Sequence, residues 1–439
     1  MTPSTPVTLH EDVHQKRSHR HTVTPGEIAI GVIIGRTSEY FDFFVYAIAS
    51  VLVFPKLIFT NLDALHGTIY SFAIFALAFI ARPFGSIIFT AIDRQFGRTS
   101  KLTIALFMLG GSTAAIAFLP GYEQIGNWSA ILLSILRVGQ GLALGGSWDG
   151  LPSLLNLSAP VEKRGSYAMI PQLGAPLGLI VASGLFAYFL GSLGLSDFLD
   201  WGWRYPFFVA FAINVVALFS RLRIVATPEY EELFASQELQ PSPIGETIRQ
   251  QGFTIWLGAF APLASFALFH MVTLFPLSWV FIFTKQEPVR FLVIEMITAL
   301  LGVIAIIASG PIANRIGRRM LLVVSAIAIG FYSGYAPQFL DRGEIGQIVY
   351  MAVGFVLLGI SFGQSSGAVA SAFPINYRYT GSALTADLAW MFGAGFAPVV
   401  ALVLTDKLGL PAAGGYLLSG ALWTLLALWV QKTLEDRAQ

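Results

Sequence analysis

Cysteine is missing from all 439 residues, which excludes disulfides, thiolate metal sites and thiol catalysis. Charge is scarce as well. Asp, Glu, Lys and Arg make up 12% of the chain against 55% hydrophobic residues, about half the ~25% charge of a soluble domain. The formal net charge of +1 carries no nucleic-acid signature. A phosphate-cradling glycine loop ending in Gly-Lys-Ser/Thr is also absent, so nucleotide-driven work has no support. The polar stretch 1–25 carries His10, His14, His19 and His21 among Lys16, Arg17 and Arg20. It reads as a solvated tail rather than a metal site. It has no short apolar core with a cleavage site, so the first membrane helix is expected to be retained.

What the chain does have is long apolar runs. They fall at 27–54, 65–92, 102–119, 128–157, 165–191, 203–222, 252–284, 289–312, 319–336, 346–372, 379–405 and 412–431. A segment of about 20 apolar residues crosses the ~30 Å hydrocarbon core as a helix, so the pattern describes an all-α membrane protein with twelve spans. With both termini inside, seventeen of the 26 Lys and Arg lie on inner segments and six on outer loops. Arg36, Arg82 and Arg137 complete the set inside helices. That asymmetry supports cytoplasmic termini.

The longest polar interruption, 223–251, includes Thr227-Pro228-Glu229-Tyr230-Glu231-Glu232 and Pro241-Ser242-Pro243. It sets a cytoplasmic linker between a six-helix half at 26–222 and a second at 252–432, with tails at 1–25 and 433–439. The halves echo one another: Gly97-Arg98 recurs as Gly317-Arg318. Two pseudo-symmetric six-helix halves describe the major facilitator architecture, with substrate held between them near the midplane.

The first apolar run carries three charges. Counting from Glu27, Arg36, Glu39 and Asp42 lie about 14, 18 and 22 Å along a helix axis, on one broad face. Charge near mid-bilayer costs at least ~2.5–3.5 kcal/mol per residue, so it faces a paired or wet interior and marks a transport pathway. A structural ion pair to a neighbouring helix is the simpler alternative.

At this point a family resemblance is legible. Gly35-Arg36-Thr37-Ser38-Glu39-Tyr40-Phe41-Asp42-Phe43-Phe44-Val45-Tyr46 resembles the helix-1 signature of the metabolite–proton symporters, the branch of the major facilitator superfamily that carries proline/betaine, shikimate, α-ketoglutarate and citrate. Arg82-Pro83-Phe84-Gly85, the run Arg137 to Gly146, Pro171 to Gly178, Trp203 to Phe207 and Phe373 to Gly381 are similar to it in the same order. The chain departs from that pattern at several points. Ser147, followed by Trp148 and Asp149, stands where the family commonly has a glutamate, and Asn156 and Ser371 replace two others. Arg94 fills a usual aspartate slot after helix 2, with Asp93 one residue earlier, and Asn314 fills the counterpart.

Arg137 lies about 14 Å below the outer face on the fourth run, level with Glu39 and Asp42. Two arginines and two carboxylates at one depth are expected to form a near-neutral cluster. Desolvation raises a carboxylate's pKa and a neighbouring arginine lowers it, so an acid between the two can titrate near neutral pH. Glu39, Asp42 and Arg137 are therefore the proton-coupling candidates, together with Asp387, read as the only acid deep in the second half. Glu295, a turn or so inside its helix, is expected at the interface. Arg36, Tyr46, Gln140, Trp148, Gln172, His270 and Trp390 are the substrate-binding candidates. His270 reads equally as a packed core residue and Gln172 as part of a close-packed Pro/Gly stretch. Asp93, Arg94, Gly97 and Arg98, with Asn314, Arg315 and Arg318, are expected at the cytoplasmic gate.

The resemblance implies a proton-coupled symporter, not an enzyme. It would take up a small polar solute, a carboxylate or zwitterion, across a bacterial inner membrane by alternating access, acting as a monomer in the bilayer with no cofactor besides the coupling proton. The alternative is a proton-coupled exporter of the same fold. Gly174-Ala175-Pro176-Leu177-Gly178 weakly resembles an antiporter motif shared by both groups.

Overall fold

The computed structural model describes residues 25–147, 155, 159–225, 241–284, 286–365 and 373–438. Twelve long helical runs follow one another, and no strand occurs among the described residues. In the first half they are α1 (Pro25–Leu52), α2 (64–96), α3 (98–117), α4 (Trp128–Gly146), α5 (Gly174–Asp197) and α6 (Arg204–Val225). In the second half α7 is a broken run with pieces Ile244–Phe260, Leu263–Thr273 and Phe275–Phe283. It is followed by α8 (Pro288–Ile316), α9 (Arg318–Tyr335), α10 (Gly343–Phe362), α11 (Arg378–Leu408) and α12 (Gly414–Ala438). Of the described helices, α1 alone carries three charges in every 18-residue window, so its apolar length is masked by the residues that make it interesting.

Local sequence explains the breaks. Helices α2 and α3 would be one rod but for Gly97, whose φ of 82° turns the chain, and Gly317 does the same between α8 and α9, also at 82°. Left-handed φ is nearly free for glycine alone, so the repeated Gly-Arg pairs are matching hinges in the two halves. Pro262 interrupts α7, because proline removes a backbone donor and crowds the preceding turn. Helix α7 also starts at Ile244, ahead of its apolar stretch, as a polar extension containing Glu246, Arg249, Gln250 and Gln251. Helix α5 starts later than its apolar run, at Gly174, after short helical turns over 161–173. At the start of α2, Asp63 caps the helix by accepting from the His66 N–H at 3.0 Å, and its other oxygen meets the His66 ring nitrogen at 2.6 Å. Those hydrogen bonds, first the backbone one, hold its carboxyl below the usual range.

Helix α1 packs on α5 and α6 within the first half, while α5 lies along α8 and α2 meets α11 across the junction of the halves. One aromatic-rich core fills that junction, with Phe43, Phe44, Phe79, Phe269, Phe362 and Trp390 in mutual contact. Aromatic stacking and edge contacts of this kind add to the burial term.

Candidate functional site

The charges of α1 are buried as expected, but they do not form a single cluster. Glu39 takes two cations: Arg36 Nη1 at 2.8 Å from the same helix and Arg221 Nη2 at 2.8 Å from α6. Arg221, at the end of the sixth apolar run, is therefore a buried partner of Glu39. Gly35 makes room for it, since a Cβ there would sit 2.7 Å from Arg221 Nε. Asp42 turns to another neighbour, accepting from Thr113 Oγ1 on α3 at 2.7 Å. Thr113 in turn accepts from Gln140 Nε2 at 2.8 Å, and Gln140 Oε1 accepts from Arg137 Nη1 at 3.0 Å. The acid and Arg137 are thus linked by a hydrogen-bonded chain and not by a direct ion pair. A three-residue step falls ~60° short of a full turn, enough to set Glu39 and Asp42 against different helices. The expected four-charge cluster is corrected to these two networks.

Arg137 is 1% exposed. Its guanidinium carbon lies 3.9 Å from the Tyr46 ring centroid and 4.8 Å from that of Phe75. His270 packs on the same phenylalanine, with ring centroids 5.2 Å apart, and stacks on Phe43 at 5.3 Å. Three buried polar atoms here have no hydrogen-bond partner among the described residues: Tyr46 OH, Arg137 Nη2 and His270 Nε2. Buried polar atoms are nearly always partnered, so this cation–aromatic zone has spare recognition capacity.

Asp387 reaches across the junction. Arg82 Nε on α2 donates to it at 2.6 Å, and the Ser86 hydroxyl donates to its other oxygen. Glycines place Arg82: α4 lies so close to α2 that a Cβ on Gly145 would be 2.2 Å from the Arg82 carbonyl oxygen. Beside this pair is a small pocket lined by Arg36, Glu39, Tyr40, Phe43, Phe79, Arg82, Leu144, Ser147 and Trp390. Of the expected substrate residues, Arg36 and Trp390 line it. Tyr46, Gln140 and His270 belong to the neighbouring Arg137 zone. Gln172 is buried at the junction, 3.5 Å from Ser365 Oγ. Trp148 lies outside the described residues, as do Asp149, Asn156 and Ser371.

Two contacts hold the halves together on the gate side. Asp93 accepts from Lys101 Nζ at 3.2 Å and from Tyr379 OH of α11 at 3.3 Å, while Lys101 donates to Tyr379 OH at 2.7 Å. Arg98 lies over the same Tyr379 ring at 5.5 Å. In the other half Asn314 Oδ1 accepts the Gly165 N–H at 2.8 Å and its amide donates to Ser166 Oγ at 2.9 Å. Arg318 is partly buried at the head of α9, whereas Arg94 and Arg315 are exposed. Sequence reasoning missed Arg82, Lys101, Arg221 and Tyr379 as partners; only Arg82, an arginine inside an apolar run, carried a signal.

Glu295 corrects a further expectation. It is fully buried rather than interfacial, and accepts from Ser183 Oγ of α5 at 2.9 Å. Asp387 is therefore not the only deep acid of the second half.

Comparison with known proteins agrees with this architecture. The family described as Major Facilitator Superfamily matches residues 32–398. An inner membrane metabolite transport protein of Escherichia coli, YhjE, is 34% identical over 434 residues, covering 96% of this chain and 98% of that one. The shikimate transporter of Escherichia coli is 29% identical, covering 92% and 94% of the two chains. Among solved structures, a D-xylose-proton symporter superposes with a TM-score of 0.69 at 17% identity, over 92% of this chain and 96% of that one, a likeness of fold. With twelve helices in two halves and a charged junction between them, the chain belongs to the major facilitator superfamily, and it is a multi-pass membrane transporter and not an enzyme.

Proposed function

We propose that this transporter takes up a small metabolite bearing a carboxylate, alone or as a zwitterion, together with protons across a bacterial inner membrane by alternating access. One observation carries the substrate class. Arg36 and Arg82 line the junction pocket with Arg221 beside them, and guanidinium forks bind carboxylates well. Tyr40 and Trp390 supply aromatic walls that also suit a cationic substituent on a zwitterion. The names of the metabolite and shikimate relatives support the same class.

For the proton, Asp42 is the better-suited acid of α1. Glu39 is matched by two guanidiniums, whereas Asp42 has neutral partners, the Thr113 hydroxyl and the Asn214 side chain, and is linked to Arg137 through Thr113 and Gln140. A charge change at Asp42 thus passes directly into the zone holding Arg137, Tyr46 and His270. The membrane location and cytoplasmic termini rest on the Lys/Arg asymmetry and on the inner-membrane relative. Purified carrier in proteoliposomes, given an inward proton gradient and a panel of radiolabelled carboxylates, amino acids and betaines, tests the reading. Accumulation of a carboxylate that collapses with a protonophore is expected. Movement only outward against protons, or binding only of lipophilic cations, would establish the exporter instead.

A further inference from the structure

Helix α8 turns one regular stripe inward: Phe291, Leu292, Glu295, Thr298, Ala299 and Gly302 are buried while Val293, Ile297, Leu300 and Ile304 are exposed. Such a stripe is ordinarily apolar; Thr298 returns its hydroxyl to the Ile294 carbonyl of its own helix, whereas Glu295 turns an ionisable group inward. The carboxyl faces α5 of the other half, and Ser183 is its sole hydrogen-bond partner among the described residues. The second oxygen, Oε1, is buried and unpartnered.

Among the described residues, no element packed against α8 brings a counter-charge to this carboxyl. From α7, His270 bonds Thr273. From α9, Tyr332 donates to the Tyr350 carbonyl, and from α10, Tyr350 donates to the Met271 carbonyl. The charged stretch Glu162, Lys163 and Arg164 lies at the opposite end of α8, where Gly310 and Asn314 meet Ser166. Arg290, on the first turn of α8, is at the surface and pairs with Glu344 at 2.7 Å. An ionised carboxylate in such a setting has its desolvation penalty uncompensated, whereas a protonated one does not.

We propose that Glu295 is a second proton-binding group of the carrier, and that its contact with Ser183 is a latch between α5 and α8 that closes when the carboxyl is protonated and opens when it ionises. The ionised form needs water, and separation of α5 from α8 at the ends where Gly191 meets Val289 opens a route to it. A proton can shift a conformational equilibrium only if it binds the two states unequally. Glu295 meets that condition because half of its surroundings belongs to the other half of the molecule. Its consequence for transport rests on the uptake reading above: a proton arriving from outside would close the outer seam behind the substrate.

The cysteine-free chain allows a direct test, since spin labels on Ser196→Cys and Glu287→Cys, both exposed, would be the only ones present. Distances are measured in the full-length carrier in lipid nanodiscs without substrate. In the parent, the long-distance population should rise at least about fivefold from about pH 5 to about pH 9. In Glu295→Gln, and in Glu295→Met as a second neutral replacement, it should change less than about twofold and stay in the short, closed population. A parent with no pH response, or either neutral variant opening as the parent does, would overturn the latch. Because no substrate is involved, failure of every carboxylate in the uptake assay would overturn the substrate reading and leave this one standing.

Discussion

The two halves hold their buried acids in different ways. In the first half, Glu39 and Asp42 find their partners at home: Arg36 and Arg221 for one, and Thr113, Gln140 and Arg137 for the other. In the second half, both deep acids borrow from across the junction, Asp387 from Arg82 and Ser86, and Glu295 from Ser183. Alternating access moves one half against the other. Contacts within a half survive that motion, whereas contacts across it are broken and remade in each cycle. On the uptake reading, the first set builds a site and the second sets the balance between conformations.

The largest effect is expected where a borrowed partner is removed. Arg82→Ala leaves Asp387 buried without its cation, a loss of roughly 3–5 kcal/mol for a broken buried pair, and uptake should be abolished. Adding Asp387→Asn to Arg82→Ala should restore thermal stability in detergent but not transport, because the charge is relieved while the cross-junction contact stays lost. If the double variant is no more stable than Arg82→Ala alone, the pair is not what holds the two groups.

A smaller effect should separate the two gate contacts. The first is charged and buried, with Asp93, Lys101 and Tyr379; the second is neutral, with Asn314, Gly165 and Ser166. Lys101→Ala should populate the inward-open state and slow turnover while substrate affinity stays within a few-fold. Asn314→Ala removes neutral hydrogen bonds of about 1 kcal/mol net each and should shift the same distances less. Distance measurements across the cytoplasmic face in both variants would show the order, and equal shifts would erase the distinction between the gates.

Much of this was legible in the sequence, and what was missed has a common cause. The apolar runs and the paired Gly97 and Gly317 turns follow from local rules of length and φ, and both reappear in the structure. Position along a helix also marked Glu39, Asp42 and Arg137 as interior charges, and all three are buried. It could not say which neighbour each would face. Arg221 looked like the end of a span, yet it folds back onto Glu39 past Gly35. Glu295 was judged by its distance from the helix start, while its burial is decided by the α5 surface opposite. Asp387 and Arg82 are 305 residues apart, and Lys101 and Tyr379 278. No periodicity within a single helix carries such pairings.

The central claim is that the first half holds a stationary proton site at Asp42, with Glu39 as its charge-matched anchor. Proton-driven accumulation and substrate exchange, measured in the same proteoliposomes for Asp42→Asn and Glu39→Gln, test it most directly. Asp42→Asn should lose accumulation and keep exchange, since the amide mimics the protonated acid, while Glu39→Gln should keep both at reduced rates. Accumulation by Asp42→Asn at the parental level, or its complete loss in Glu39→Gln alone, would contradict the claim.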